Sequence, residues 1–202
     1  FLVLLAVCLF PVSQLCRAAD VTLKEREDTF ELANEALSAS IEKSSGRITS
    51  VKLGGQELLG SGTGYWSMSA SSGRTRVVGF GVSREQWVSI DPASNGGERA
   101  EVVCHFRGSG RDGAYPGNVE VRYALDRHST TLYATAILQH GPGDAPFGIG
   151  EGRFVIKVDD GIFDQLTIDK DRNWIMPSSR DWDAGTPLNL KEARRMTTGI
   201  HT

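Results

Sequence analysis

Apolar and polar residues alternate with a period of two along most of the chain after about residue 20, and this pattern limits the fold more than any other feature. The alternation is clear at residues 48–53, 119–125 and 131–138. Successive side chains of a β-strand point to opposite faces, whereas a helix would repeat every 3.6 residues. About ten such segments are separated by Gly, Asp, Asn and Ser turns, and none carries a convincing helical stripe. The sequence therefore predicts an all-β protein, a large antiparallel β-sandwich.

The first ten residues, FLVLLAVCLF, form an apolar run of the length found in a secretory signal and too short to span a bilayer as a helix. Cleavage after Ala18 would place small residues at the two preferred positions, so residues 1–18 are predicted to be a signal peptide. The alternative is a buried N-terminal strand or helix. A signal predicts a secreted, extracellular protein, or a periplasmic one in a Gram-negative organism. No basic segment precedes the run, which predicts a chain truncated at its front.

Residues 19–202 are predicted to form one β-sandwich domain that is incomplete at its C-terminal end. Of the three cysteines, only Cys104 follows the predicted signal. An internal disulfide is then impossible, so the domain must rely on an apolar core, and Cys104 is predicted to be buried and inert. The net charge of −3 argues against a nucleic-acid partner, which would favour a basic stripe.

Two basic groups could carry chemistry, although the familiar catalytic signatures are absent. If Phe154 and Ile156 face the core, Arg153 and Lys157 share the opposite face of a strand and could hold a uronate. A second basic group is Lys191-Glu192-Ala193-Arg194-Arg195. The alternative for both groups is a solvated charged edge.

Aromatic and acidic side chains give weaker indications of a site. Trp174 and Trp182 lie in polar surroundings and could stack on sugar rings, although tryptophan is more often used in a core. The acidic clusters near residues 159–160 and 169–171 lack the glycine and glutamate of a calcium loop. Solvated turns are therefore expected there, and no metal site is predicted.

Several segments, in this order, resemble rhamnogalacturonan endolyases of polysaccharide lyase family 4. The similarity is best between residues 147 and 196 and covers nearly all of residues 28–198. The segments are Leu32-Ala33-Asn34, residues 44–48, Tyr65-Trp66, residues 148–154, Asp164, residues 174–177, Asp181-Trp182, residues 185–188 and residues 190–193.

This resemblance implies a galactose-mutarotase-like β-sandwich that cleaves rhamnogalacturonan I, the pectin backbone of alternating rhamnose and galacturonate, by β-elimination at galacturonate. It implies a monomer that acts on an anionic plant cell-wall polysaccharide, with no organic cofactor, no catalytic metal, and no membrane contact after signal removal. Arg153 matches the family's substrate-binding arginine and Lys157 a second basic position. Lys191 matches the catalytic base, and Trp182 is a further substrate-binding candidate.

The family's proposed acid is a histidine that would lie well beyond Lys191, and His201 comes too soon to be it. The 202 residues alone are therefore expected to be inactive. Arg194 and Arg195 would lower the pKa of Lys191 by their positive charge. The main rival is a noncatalytic carbohydrate-binding β-sandwich, and a third reading is a mutarotase-like sandwich that acts on neutral sugars.

Overall fold

A computed structural model describes residues 20–70, 76–78, 80–111, 114–190 and 193–199. The predicted signal peptide and Lys191 lie outside the described residues. The chain divides into two compact units, the first ending at Lys157 and the second beginning at Val158.

The described part of the chain is built mainly of β-strands, with one short α-helix and one 3₁₀ turn. The strands of the first unit are β1 (Thr22–Glu25), β2 (Thr29–Ala33), β3 (Leu37–Glu42), β4 (Ile48–Leu53), β5 (Gln56–Glu57), β6 (Leu59–Ala70), β7 (Arg76–Val78), β8 (Glu85–Ile90), β9 (Arg99–Arg107), β10 (Asn118–Asp126), β11 (Leu132–Gln139) and β12 (Ile149–Val158). The second unit contains β13 (Gln165–Asp169), β14 (Arg172–Ile175), α1 (Ser179–Ala184), β15 (Thr186–Pro187) and β16 (Arg194–Arg195).

Two sheets make up the first unit. The large sheet has eight strands in the order β1-β2-β3-β4-β6-β12, with β5 beside β4 and β7 beside β6. The small sheet has the order β11-β10-β9-β8. Neighbouring strands such as β2 and β3 or β9 and β10 pair antiparallel. Side chains of β3 are alternately buried and half-buried along its whole length, as the sequence period predicts.

The core lies between these two sheets. Phe30, Leu32 and Ile41 come from the large sheet and Phe106 and Leu125 from the small one, and all five are fully buried. Burial of side chains of this size stabilises the fold by roughly 1.5–3 kcal/mol each. The predicted all-β antiparallel sandwich is confirmed.

Two polar contacts join the sheets at the ends of strands. The Asn34 side chain accepts from the backbone of Leu37 within its own turn and donates to the carbonyls of Asp126 and Ser129, beyond β10. The hydroxyl of buried Tyr123 donates to the carbonyl of Gly46 at 2.7 Å. The bonds that Asn34 and Tyr123 donate each connect a turn of the large sheet to the small sheet or to the turn that follows β10.

Cys104 of β9 is fully buried, as the sequence predicts. Burial raises the pKa of its thiol to about 12. The thiol is therefore protonated at neutral pH and poorly placed to react.

Three elements differ from the sequence prediction. Strand β1 is polar and largely exposed, so it carries no apolar alternation. Strand β14 pairs with β13 as an exposed hairpin. The helix α1 is only six residues long and is capped by the Ser178 hydroxyl, which accepts from the backbone of Asp181. The two strands form by hydrogen bonding to a neighbouring strand and the helix is stabilised by its N-cap. The hydropathy pattern of the sequence predicts neither interaction.

The second unit consists of the β13–β14 hairpin, the helix α1 and the short β15–β16 pair. Arg194 and Arg195 of this unit form β16. Among the described residues, no helix is long and apolar enough to cross a membrane.

Replacement of Tyr123 by phenylalanine tests the connection between the sheets. Tyr123→Phe leaves the buried carbonyl of Gly46 without its donor, so we expect the free energy of unfolding to fall by about 1–3 kcal/mol. Chemical denaturation measures this loss. Tyr133→Phe is the matched control because Tyr133 is 46% exposed, and it should leave stability unchanged. Equal stability of both variants would show that the bond contributes nothing.

Candidate functional site

Arg153 lies on β12, the terminal strand of the large sheet, and its guanidinium is held at one nitrogen. The Nε atom donates to the Ser67 hydroxyl of β6 at 3.3 Å and also pairs with the carboxylate of Glu151. The two terminal nitrogens have no acceptor among the residues that the structure describes. Since the side chain is 31% exposed, this pair of nitrogens remains open to a planar anion such as a carboxylate.

The neighbour Phe154 explains why Arg153 has this orientation. Its ring centroid lies 5.2 Å from that of Trp66, which packs against the core. Because successive side chains of a strand point to opposite faces, Arg153 is directed away from Trp66 and toward Ser67, which is itself buried. Phe154 is 37% and Ile156 44% exposed, so neither belongs to the buried core, contrary to expectation.

Lys157 contacts a different part of β6. A Cβ atom built on Gly62 would lie only 2.5 Å from the Cβ of Lys157 and 2.6 Å from its Cγ. Lys157 therefore occupies the space that a side chain at position 62 would need. The Cα atoms of Arg153 and Lys157 are about 13 Å apart along the strand. Two cations at this separation suit different parts of an extended ligand better than a single carboxylate.

Trp182 lies in α1 of the second unit and is 37% exposed. The guanidinium carbon of Arg194 lies 5.7 Å from its ring centroid. The same guanidinium donates to the carbonyl of Gly185 at 2.9 Å. Arg194 is therefore fixed by its own unit. Lys191, the predicted base, falls outside the described residues, so its position relative to Arg194 stays a prediction.

The outer face of the small sheet is different in character because its charges satisfy each other. Arg99 and Arg122 both pair with Glu101. Burial alone would raise the pKa of Glu101, but hydrogen bonds from Ser89, Arg122 and Arg99 outweigh burial and hold that pKa below its usual range. A face with its ions already paired has little to offer an anionic ligand.

A separate cavity of about 310 Å³ belongs to the first unit and is lined largely by apolar side chains. Met68, Phe80 and Val119 contribute apolar surface, and Arg84 and Arg107 also line it. Arg107 pairs with Asp144. This lining suits a compact, partly apolar ligand better than a hydroxyl-rich polymer.

The acidic residues near positions 159 and 169 serve the turns in which they lie. Asp159 accepts from the backbone of Gly161, and Asp169 accepts from the backbone and side chain of Arg172. Within the described ranges, no cluster of His, Cys, Asp and Glu could hold a metal ion.

The residues that orient Arg153 and Lys157 could not be identified from the sequence. Ser67 is one serine among many, and it lies 86 positions before Arg153. Gly62 belongs to a glycine-rich stretch whose local pattern indicates only a turn or a strand. Knowledge that β6 pairs with β12 would have identified Ser67 and Gly62 as neighbours of Arg153 and Lys157. Pairing between strands so distant in sequence cannot be predicted from a local sequence pattern.

Comparison with known protein families identifies a match to the Rhamnogalacturonate lyase family over residues 11–201. A comparison with curated proteins found no match. The family match supports, at the level of the family, a polysaccharide lyase that degrades pectin. Because the match covers nearly the whole chain and agrees with the all-β fold, the chain belongs to the rhamnogalacturonate lyase family.

Proposed function

We propose that this protein cleaves rhamnogalacturonan I by β-elimination at galacturonate. The proposal rests on the contacts of the Arg153 guanidinium, in a chain that belongs to this family. Its Nε is anchored by Ser67 and Glu151, while its terminal nitrogens make no hydrogen bond to the residues that the structure describes, which would allow them to receive a carboxylate. That arrangement supports recognition of the galacturonate carboxylate.

The reaction requires a base and a cation at the same sugar. The proton on C5 of galacturonate is removed, the bond from C4 to the glycosidic oxygen breaks, and a C4–C5 double bond forms. Negative charge develops on the carboxylate as an enolate. A cation at the carboxylate lowers the energy of that charge, and a base close to C5 accepts the proton.

Arg153 has the properties needed for the first task. Its planar guanidinium fits a carboxylate through two parallel hydrogen bonds. The contact with Ser67 limits rotation of the side chain, so less conformational entropy is lost when a substrate binds.

Lys191 is proposed as the base. A lysine accepts a proton only when its amine is neutral, which requires a pKa lowered by burial or by neighbouring positive charge. Arg195 and Arg194 follow closely in the chain and supply such charge. The leaving glycosidic oxygen requires a proton from a general acid, a role that this proposal assigns to neither Arg153 nor Lys191.

Trp182 and Lys157 are proposed as further substrate contacts. One side of the Trp182 ring faces Arg194, and the exposed remainder offers apolar surface for a sugar ring. The proposed setting is outside the cell, since the substrate class is a cell-wall polysaccharide and residues 1–18 carry the features of a secretion signal.

Replacement of Lys191 tests the proposed base. In the full-length protein, Lys191→Ala should reduce kcat on rhamnogalacturonan I by about 10²- to 10⁴-fold, the usual contribution of a general base. Absorbance of the unsaturated uronate product measures the rate, and homogalacturonan serves as the control polymer. Lys170→Ala is the matched variant, because Lys170 is an exposed lysine of the same unit. Wild-type kcat in Lys191→Ala would remove Lys191 as the base.

Replacement of Arg153 tests the carboxylate contact. Arg153→Ala should lower kcat/KM by about 10²- to 10³-fold, because the developing charge loses its cation. Arg153→Lys should fall between this variant and the wild type, since it keeps the charge and loses the bidentate fork. A wild-type kcat/KM in Arg153→Ala would contradict the assignment.

The same assay separates the lyase from a noncatalytic carbohydrate-binding protein. Binding of rhamnogalacturonan I without any rise in absorbance would favour the binding protein. A rise with rhamnogalacturonan I and none with homogalacturonan would establish the lyase and its substrate.

A further inference from the structure

Arg47 is a second cation on the outer face of the large sheet, and it has no acidic partner. The residue follows the turn between β3 and β4 and lies next to Tyr65 of β6, because Ile48 and Gly64 are Cα partners. The guanidinium carbon of Arg47 lies 6.0 Å from the Tyr65 ring centroid. In the described part of the chain, its side chain makes no hydrogen bond or ion pair.

This isolation has an energetic cost. The Nε atom of Arg47 is buried without a hydrogen-bond acceptor, and a buried unsatisfied donor costs roughly 1–3 kcal/mol. The aromatic ring offsets part of that cost through its contact with the cation. Arg99 and Arg122 pair with carboxylates, and Arg127 has the same unsatisfied Nε but two ion pairs. An unpaired arginine fixed on an aromatic ring is a pattern typical of a binding site for an anion.

The position of Arg47 relative to Arg153 indicates which kind of anion Arg47 would bind. Strands β4, β6 and β12 are consecutive neighbours in the sheet. Arg47 lies beside Tyr65, and Arg153 bonds to Ser67, two residues further along the same face of β6. Strand spacing and rise place the two Cα atoms about 12 Å apart. Both side chains are long, so their guanidinium groups can reach separate carboxylates of one extended ligand.

The rest of this face is polar and open. A shallow groove of about 280 Å³ crosses β1 to β4, and its lining includes Lys24, Lys52, Ser40, Ser50 and the acidic Glu31, which pairs with Arg26. By the strand alternation, Arg47 lies on the face that carries this groove. Hydroxyl-bearing and cationic side chains suit a hydroxylated, anionic polymer.

We propose that Arg47, held by Tyr65, binds the carboxylate of a second galacturonate, separated by one rhamnose from the galacturonate at Arg153. This proposal rests on the proposed function and adds a second substrate subsite to it. Arg47 is a specificity-determining residue for chain length, and Tyr65 is a positioning residue that acts through Arg47.

Oligosaccharides of rhamnogalacturonan I with one galacturonate or with several test the subsite in the full-length protein. Arg47→Gln should raise KM about tenfold or more on the longer substrates, with little change in kcat, since a charge-assisted contact is lost in ground and transition states alike. On the shortest substrate KM should not change. Arg47→Lys should recover part of the loss, and Tyr65→Phe should resemble the wild type because the ring is kept.

Arg84→Gln is the matched control, because Arg84 is exposed, lacks an ion pair in the described structure and lines the separate cavity. It should leave KM unchanged at every length. An unaltered KM in Arg47→Gln, or a loss of equal size on short and long substrates, would overturn the proposal. A melting temperature close to wild type excludes misfolding as the cause, and Arg47→Lys provides the decisive variant if Arg47→Gln is unstable.

Calorimetric binding of the same oligosaccharides separates this proposal from the proposed function. If the wild type shows no turnover, the lyase assignment fails. Weaker binding of the longer ligands by Arg47→Gln would still support the subsite, and equal binding would overturn it.

Discussion

The hydrogen bond from Tyr123 to the carbonyl of Gly46 connects the centre of the small sheet to a turn of the large one. Gly46 has a positive φ of 63°, and a Cβ atom there would lie 3.1 Å from the Phe106 ring. Glycine is therefore favoured by both the backbone conformation and the close packing. Since Arg47 is the next residue, this buried contact also determines where the proposed second subsite lies. The turn that contains Gly46 therefore affects both the packing of the core and the position of Arg47 on the surface.

The two outer faces of the sandwich use charge in opposite ways. On the small sheet, Glu101 is shared by two arginines, so the charges stabilise the folded protein and leave little for a ligand. On the large sheet, Arg153 keeps its terminal nitrogens open and Arg47 has only an aromatic neighbour in the described structure. An arginine without a carboxylate partner, as Arg47 is in the described structure, costs some stability through its desolvation. A binding role for the large sheet accounts for this cost.

Local patterns were enough to predict the sandwich, because alternating burial is a property of each strand taken alone. Strands β4, β10 and β11 were predicted closely for that reason. The polar edge strand β1 was missed, since an exposed strand needs no alternation. For the site, Arg153 could be predicted as a surface cation, but its anchor Ser67 could not, because the contact depends on which strands become neighbours. Arg47 gave no signal either, since a single arginine after a turn is common.

The contact between Gly62 and Lys157 links two positions that are 95 residues apart in the chain. Any side chain at position 62 would collide with the first two carbons of Lys157, which lie close to the backbone and have little freedom to move. A larger residue at position 62 would therefore be compatible only with a glycine or a repositioned strand at position 157. Among related sequences, the sizes of these two residues are expected to vary together, and only a glycine at position 157 would remove the Cβ contact that keeps position 62 a glycine.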